Sequence, residues 1–448
     1  MNRRKIHYRL QLSTCIFLTC IIGMISCGNK VETVGNAEEI QIYPEEATLT
    51  ENLSEAAIPE ETVPESSAPE EPISDPTCPD PTCPDSTRPD STSSDPTAPD
   101  LTSTDLTIRM IGDILLHDRV AQYALQEDGT YQFAPIFDAL EEEIREADLA
   151  IVNQEVIIAG EDFGVTGYPC FNAPFELGDA LVEAGFHVIC HATNHALDKG
   201  KAGLLSCIRF WKTEYPETAV LGIQETAEEQ DEIYIYEQDG IKVAVLNYTY
   251  GTNGIPLPAD MPYAVNLLKE EEVVADIEKA EMLADFTIVC PHWGTEYVLE
   301  ETQEQRRWAR LFLEHGVDLV LGTHPHVIEP IEIMKDEETG HEMLVYYSLG
   351  NFVNWTSSSG TGIANRMVGG MADVTIGFEE NGEVGVKEYS VTAVVTHLED
   401  QVNGVYTTRL SDYSEELALQ NKIVLQDPAF SKEYCVDLCD KVWGELWK

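Results

Sequence analysis

The chain has 448 residues, 43% of them hydrophobic, and its 80 acidic against 27 basic side chains leave a formal net charge of −53. With no basic stripe to neutralise phosphates, that balance excludes a generic nucleic-acid binder and loose electrostatic capture of a polyanion. An anionic substrate must then be held locally, by metal ions or by a few arginines such as Arg306, Arg307 and Arg310, whose plainer reading is a solvated helix face.

Arg3, Arg4, Lys5 and Arg9 precede a mostly apolar run from Leu12 to Ile25, short for a bilayer span and suited to a secretory h-region. The run ends in Met24-Ile25-Ser26-Cys27-Gly28, which resembles the bacterial lipobox. Residues 1–26 are therefore expected as a lipoprotein signal peptide, with Cys27 the lipidated mature N-terminus. Two acyl chains would hold the chain on the extracellular face of the cell membrane. From Asn29 to Asp105 acids and prolines dominate, and Asp recurs every five residues from Asp75 to Asp105. Such a segment buries too little apolar surface to offset its chain entropy, so residues 27–105 read as a disordered, extended stalk.

The folded part alternates strand and helix. Leu106 to Ile111 is a β-branched run; Phe133 to Ala147 has helical period; Leu149 to Asn153 is a buried strand. Helices are expected over Phe175 to Ala184, Lys201 to Lys212, Leu268 to Leu283 and Glu304 to His315. Strands are expected at Val188 to His191, Ala219 to Gly222, Lys242 to Tyr248, Phe286 to Cys290, Leu319 to Gly322 and Met343 to Ser348. This is the pattern of a layered α/β domain, with its site at the strand ends. Val374 to His397 alternates as if completing a second sheet, and residues 401–448 form a tail read as helical from Leu410. Cys190 and Cys290 fall in apolar runs and read as core residues, so stability rests on a core that roughly 340 residues amply supply.

The polar residues with chemistry lie just after those strands: Asp113; Asn153 and Glu155; Asn194 and His195; His292; His324 and His326. Loops at the carboxyl ends of strands converge, so carboxylate, amide and imidazole groups meet in one cluster. That mixture suits a pair of divalent ions such as Mn²⁺, Fe²⁺ or Zn²⁺ that activate a water. His187, His191 and His315 read as packed or surface histidines, and Trp293 as either a pocket wall or core.

The order Gly112-Asp113, Asn153-Gln154-Glu155, Thr193-Asn194-His195-Ala196-Leu197-Asp198, Pro291-His292-Trp293-Gly294 and Gly322-Thr323-His324-Pro325-His326 resembles the calcineurin-like metallophosphoesterases. With Tyr347-Ser348-Leu349-Gly350-Asn351-Phe352 and Phe171-Asn172-Ala173-Pro174, it resembles the CapA capsule-protein branch, from about Thr107 to about Phe352. The resemblance implies a metallophosphatase-type β-sandwich flanked by helices over residues 106–400. It implies Asp113, Glu155, Asn194, His292, His324 and His326 as metal ligands, Glu155 bridging, and His195 as general acid. Asp198 is placed to orient His195 or to cap the next helix, and capping is the expected role.

One departure matters. The phosphoesterase Asp-x-His requires histidine at 115, where Leu115 stands, so one ion is expected to be held tightly and a second weakly. His117, two residues further on, is placed either to substitute for that ligand or to open the next helix as a surface histidine, and the surface role is the expected one. By resemblance the partners are an anionic envelope polymer such as poly-γ-glutamate, a membrane synthesis or export complex, and the membrane through the lipid anchor. Two functions stay open: a metal-dependent hydrolase or transferase, and a non-enzymatic subunit of a polymer synthesis or export complex.

Overall fold

The computed structural model describes residues 105–448; Cys27, the signal peptide and all but the end of the stalk lie outside the described residues. Two mixed sheets face each other. The first contains β1 (Leu106–Ile114), β2 (Leu149–Asn153), β3 (Val188–Cys190) and β4 (Ala219–Leu221) as parallel neighbours. The second contains β5 (Tyr234–Gln238), β6 (Ile241–Thr249), β7 (Phe286–His292), β8 (Leu319–Leu321), β9 (Ile331–Lys335) and β10 (Glu342–Tyr346), in the order β5-β6-β7-β8-β10-β9. Its four central strands are parallel, with an antiparallel strand on each edge.

The first sheet is extended by β11 (Asn351–Val353), β12 (Val368–Phe378), β13 (Val384–Leu398) and β14 (Val405–Arg409). The alternating stretch Val374 to His397 thus completes the first sheet rather than the second. β12 pairs antiparallel with β1, whose backbone groups on that side need partners. The region expected as a helical tail likewise begins with a strand, β14 on β13, and only then turns helical at Glu415–Gln420 and Lys432–Trp443. Phe133 to Ala147 forms a short 3-10 turn and the helix Glu141–Glu146 instead of one long helix, because Pro135 starts a turn and the chain re-enters at Leu140.

The periodicity of two explains the packing. In β6, Ile241, Val243 and Val245 join the core shared by both sheets, while Ala244, Leu246 and Tyr248 join a second core with Trp308 and Phe312 of the helix Gln303–Glu314. Cys290 of β7 touches Met110 of β1, Sγ to Sδ 3.9 Å, which places the two sheets face to face. Among the described residues the cysteines are unpaired, and five of the six are buried. The carboxyl ends of the parallel strands in both sheets then open on one cleft. In the first sheet Asn351, Asp113, Asn153 and Cys190 are neighbours in register; in the second, Thr249, His292 and Thr323 are.

Candidate metal centre

Glu155 is the centre of the cleft. It follows β2, is wholly buried, and neither carboxylate oxygen has a hydrogen-bond partner. Burial pushes its carboxyl well above the ordinary range, and the neighbouring His326 pulls the other way. His326 Nε2 lies 3.5 Å from Oε1, His292 Nε2 3.7 Å and His195 Nε2 3.9 Å. A buried carboxylate that accepts nothing from the protein, ringed by imidazoles, is suited to hold a cation.

Two ligand sets share it. Glu155, His292 and His324 offer donor atoms within 4.8 Å of one another, and so do Asp113, Glu155 and His326. Asn194 Oδ1 lies 2.9 Å from His292 Nε2 and so adds a fourth donor to the first set. His292 is oriented by Thr323 Oγ1, 3.0 Å from its Nδ1, which leaves Nε2 for the centre. Asn153 Nδ2 donates to Asp113 Oδ1 at 2.8 Å, so it holds a ligand in place. All six residues expected as ligands are therefore brought together, and their donors form two candidate sets for a divalent ion that share Glu155.

The backbone is bent to achieve this. His324 and His326 have φ of 98° and 59°, left-handed conformations that cost a non-glycine residue energy and persist where surrounding structure imposes them. Gly322 permits the turn: a Cβ there would stand 2.1 Å from the Tyr347 carbonyl oxygen. Gly112 does the same beside Asp113, where a Cβ would meet the Gly350 carbonyl oxygen at 1.9 Å. The β1 register shifts on both sides of Asp113, a bulge at the site.

His195 stands beside the centre without entering either ligand set. Its Nδ1 is 2.6 Å from Asp198 Oδ2, which also accepts the Phe171 N–H at 2.7 Å. Asp198 thus orients His195 and does not cap the following helix, whose N-cap Lys199 makes no side-chain cap. His117 is also corrected: it is half-buried on the cleft wall, its ring edge-on to Phe171 at 5.4 Å, and Phe171 stands 4.6 Å from the His195 ring. Burial, reinforced by nearby His326, pushes its pKa down to about 3, and its buried Nδ1 has no partner. His191 and Trp293 fill space: Trp211 Nε1 donates to His191 Nε2 at 3.2 Å, and Trp293 Nε1 to the Tyr347 carbonyl at 2.9 Å. Arg306 and Arg307 hold Glu301, Glu332, Glu270 and Glu304 on an outer helix face, away from the cleft. A cavity of about 530 Å³ along β4 and β6, with Trp211, Tyr215 and Asp276 in its wall, is lined by none of the ligand residues.

Sequence reasoning missed Tyr250, Tyr297, Asn351 and Arg366. Tyr250 lies 4.7 Å from the His324 ring and Tyr297 5.9 Å from His326; both are partly exposed and rim the cleft. Asn351 stood inside a quoted motif, and its Oδ1 is 3.1 Å from His326 Nδ1.

Residues 107–356, more than half the chain, match the family described as bacterial capsule synthesis protein PGA_cap. The chain belongs to that family. Among curated relatives, the PGA biosynthesis protein CapA of Bacillus subtilis is 30% identical over 189 residues, 39% of this chain and 45% of that protein. The capsule biosynthesis protein CapA of Bacillus anthracis is 30% identical over 194 residues, 41% of this chain and 45% of that protein. The matched stretch thus covers less than half the length of either relative. Among solved structures, a 5′-nucleotidase precursor from Thermus thermophilus aligns with a TM-score of 0.39 and 15% identity, over 65% of this chain and 54% of that one.

Proposed function

We propose that this PGA_cap-family chain serves poly-γ-glutamate capsule production at the cell surface, as a metal-dependent hydrolase or transferase acting on an envelope polymer. The observation that carries this reading is Glu155, a buried, unpartnered carboxylate shared by two ligand sets. Asn194, His292 and His324 with Glu155 would hold one divalent ion, Mn²⁺, Fe²⁺ or Zn²⁺; Asp113 and His326 with Glu155 would hold a second more weakly. When bound, such ions polarise the scissile bond and make water nucleophilic near neutral pH.

The chain's own residues supply the rest. His195, held through Nδ1 by Asp198, presents Nε2 to the centre and delivers a proton to the leaving group. Asp198 stabilises the imidazolium before transfer and fixes its aim. Phe171 packs edge-on against the His195 ring and keeps water from its flank. Thr323 and Asn153 fix the orientation of His292 and Asp113.

The relatives named for capsule or PGA biosynthesis support the polymer class, and the family match supports the same assignment. A lipid anchor at Cys27 and docking on a membrane synthesis or export complex complete the proposal. A second reading, a non-enzymatic subunit of that complex, is favoured by one observation: Leu115 is buried where a ligand histidine would stand. The test is turnover. Metal-loaded protein should release low-molecular-weight products from poly-γ-glutamate, or transfer them to an added amine, and lose that activity in EDTA; full metal occupancy with no turnover on the polymer would leave the second reading.

A further inference from the structure

Arg366 lies on the 3-10 turn Ile363–Met367, and its backbone carbonyl accepts hydrogen bonds from Asn351 Nδ2 at 3.1 Å and Asn354 Nδ2 at 2.6 Å. Asn351 is paired in register with Asp113 and reaches His326 Nδ1 with its Oδ1. The backbone carrying Arg366 is thereby fastened to His326 through the Asn351 side chain, and lies beside Asp113 through the pairing of β11 with β1. Its guanidinium carbon lies 3.4 Å from the centroid of the Tyr297 ring, and that ring is 5.9 Å from the ring of His326. The cation–π contact fixes the guanidinium plane at the rim of the cleft.

In this acidic chain the arginines are commonly spoken for: Arg109, Arg306, Arg307 and Arg409 each hold at least one carboxylate. Arg366 differs. Among the described residues it makes no salt bridge, and its buried Nε has no hydrogen-bond partner. Exposed Glu296 reaches it by field alone, without an ion pair. The same guanidinium acts electrostatically on His117 across the cleft wall. A guanidinium keeps its proton in water, so half-buried donors that no protein group accepts are available to an anion.

We propose that Arg366 seats an oxyanion of the substrate beside the metal centre, the carboxylate of a γ-glutamyl unit, with Tyr297 holding the guanidinium plane. This rests on the polymer reading above. Each γ-linked glutamate carries one free carboxylate, and a bidentate guanidinium grip on it would hold the polymer at the rim of the cleft that contains Glu155 and His195.

The test uses the full chain loaded with Mn²⁺, with calorimetric titration of a synthetic γ-linked glutamate oligomer and, separately, inorganic phosphate. Arg366→Ala should weaken oligomer binding by on the order of tenfold to a hundredfold, with metal content and melting temperature unchanged. Arg366→Lys should recover only part, because lysine keeps the charge and loses the fork. Unchanged oligomer and phosphate binding in Arg366→Ala overturns the proposal, as does a parent that binds neither probe, or loss of metal from the variant. Arg366-dependent binding of phosphate alone keeps the oxyanion seat and overturns the carboxylate, and with it the polymer. Arg366-dependent oligomer binding without turnover supports the seat while the enzymatic reading falls.

Discussion

Replacing Glu155 with glutamine should remove both metal ions at once, because its carboxylate is the shared donor of the two ligand sets. The magnitude follows from linkage: an ion present at a hundred times its dissociation constant adds about 2.7 kcal/mol to the folded state. Unfolding roughly 340 residues releases about 0.7 kcal/mol per kelvin, so that increment raises the melting temperature by about 4 °C. EDTA-stripped parent protein should gain this on addition of Mn²⁺ or Zn²⁺, with close to one tightly held ion per chain by elemental analysis. A second ion should appear only with excess metal, since its set has three donors and Leu115 in place of a fourth. Glu155→Gln should gain nothing and carry no metal. Stripped of metal, the variant should be the more stable protein above about pH 5. The carboxyl is pushed well above its ordinary value, so its contribution in the neutral form is lost as pH rises, and glutamine does not titrate. His324→Ala should lose the tight ion alone. Metal bound by Glu155→Gln as by the parent, or two equally tight ions in the parent, would refute the shared-donor reasoning.

His195→Ala should leave metal content intact and lower turnover by about a hundredfold or more, and Asp198→Asn should lower it less, as expected for a proton donor and the group that aims it; metal analysis and initial rates decide, and loss of metal in the first variant would make His195 a ligand. Glu329 is fully enclosed, accepts one hydrogen bond from Gln305 Nε2 at 2.6 Å, and is pushed up to about 8 by burial. Its stabilising neutral form is therefore lost as pH rises from about 4.5 towards 8, and Glu329→Gln should stabilise the protein at pH 7 by up to about 3 kcal/mol, read by urea melts at pH 4 and pH 7; equal stability of parent and variant at pH 7 would refute it. Cys27→Ser should move the protein from the detergent phase to the aqueous phase in a detergent partition; unchanged partitioning removes the lipid anchor.

The strands that carry the ligands were legible because each is a buried apolar run that gives way within a residue or two to polar residues, which is why β2, β3, β7 and β8 lie within a residue or two of their expected bounds. Of the missed strands, β11 is buried but only three residues long, and β5 and β9 are half-exposed. β5 has a partly exposed edge pattern, although Asp239-Gly240, at φ of 53° and 84°, is a strong two-residue hairpin signal that could have found it. β9 is another such edge. The sheet to which Val374 to His397 belongs was not legible, since alternation reports a half-buried strand and says nothing of its neighbour. Tyr297 and Arg366 were invisible for a related reason: they approach from loops 69 residues apart, and only tertiary contact makes one the platform of the other.

The position of Leu115 bears on whether the second metal set is degenerate. Leu115 is 5% exposed and belongs to the main core, so the place of a fourth ligand is filled by an apolar side chain and not merely vacated. The bulge at Asp113 sends β1 on through Ile114 towards the interior, and three residues later the chain leaves it at His117, the N-cap of the helix Asp118–Ala124. His117 then returns an imidazole to the cleft wall, against Phe171 and within the field of His326, but outside the ligand distances of Asp113, Glu155 and His326. An imidazole beside a three-donor ion is better placed to contact substrate or solvent than to complete the coordination. On the proposed reading the loss at 115 would therefore weaken one ion site while the cleft keeps its histidine, which favours an altered centre over an abandoned one.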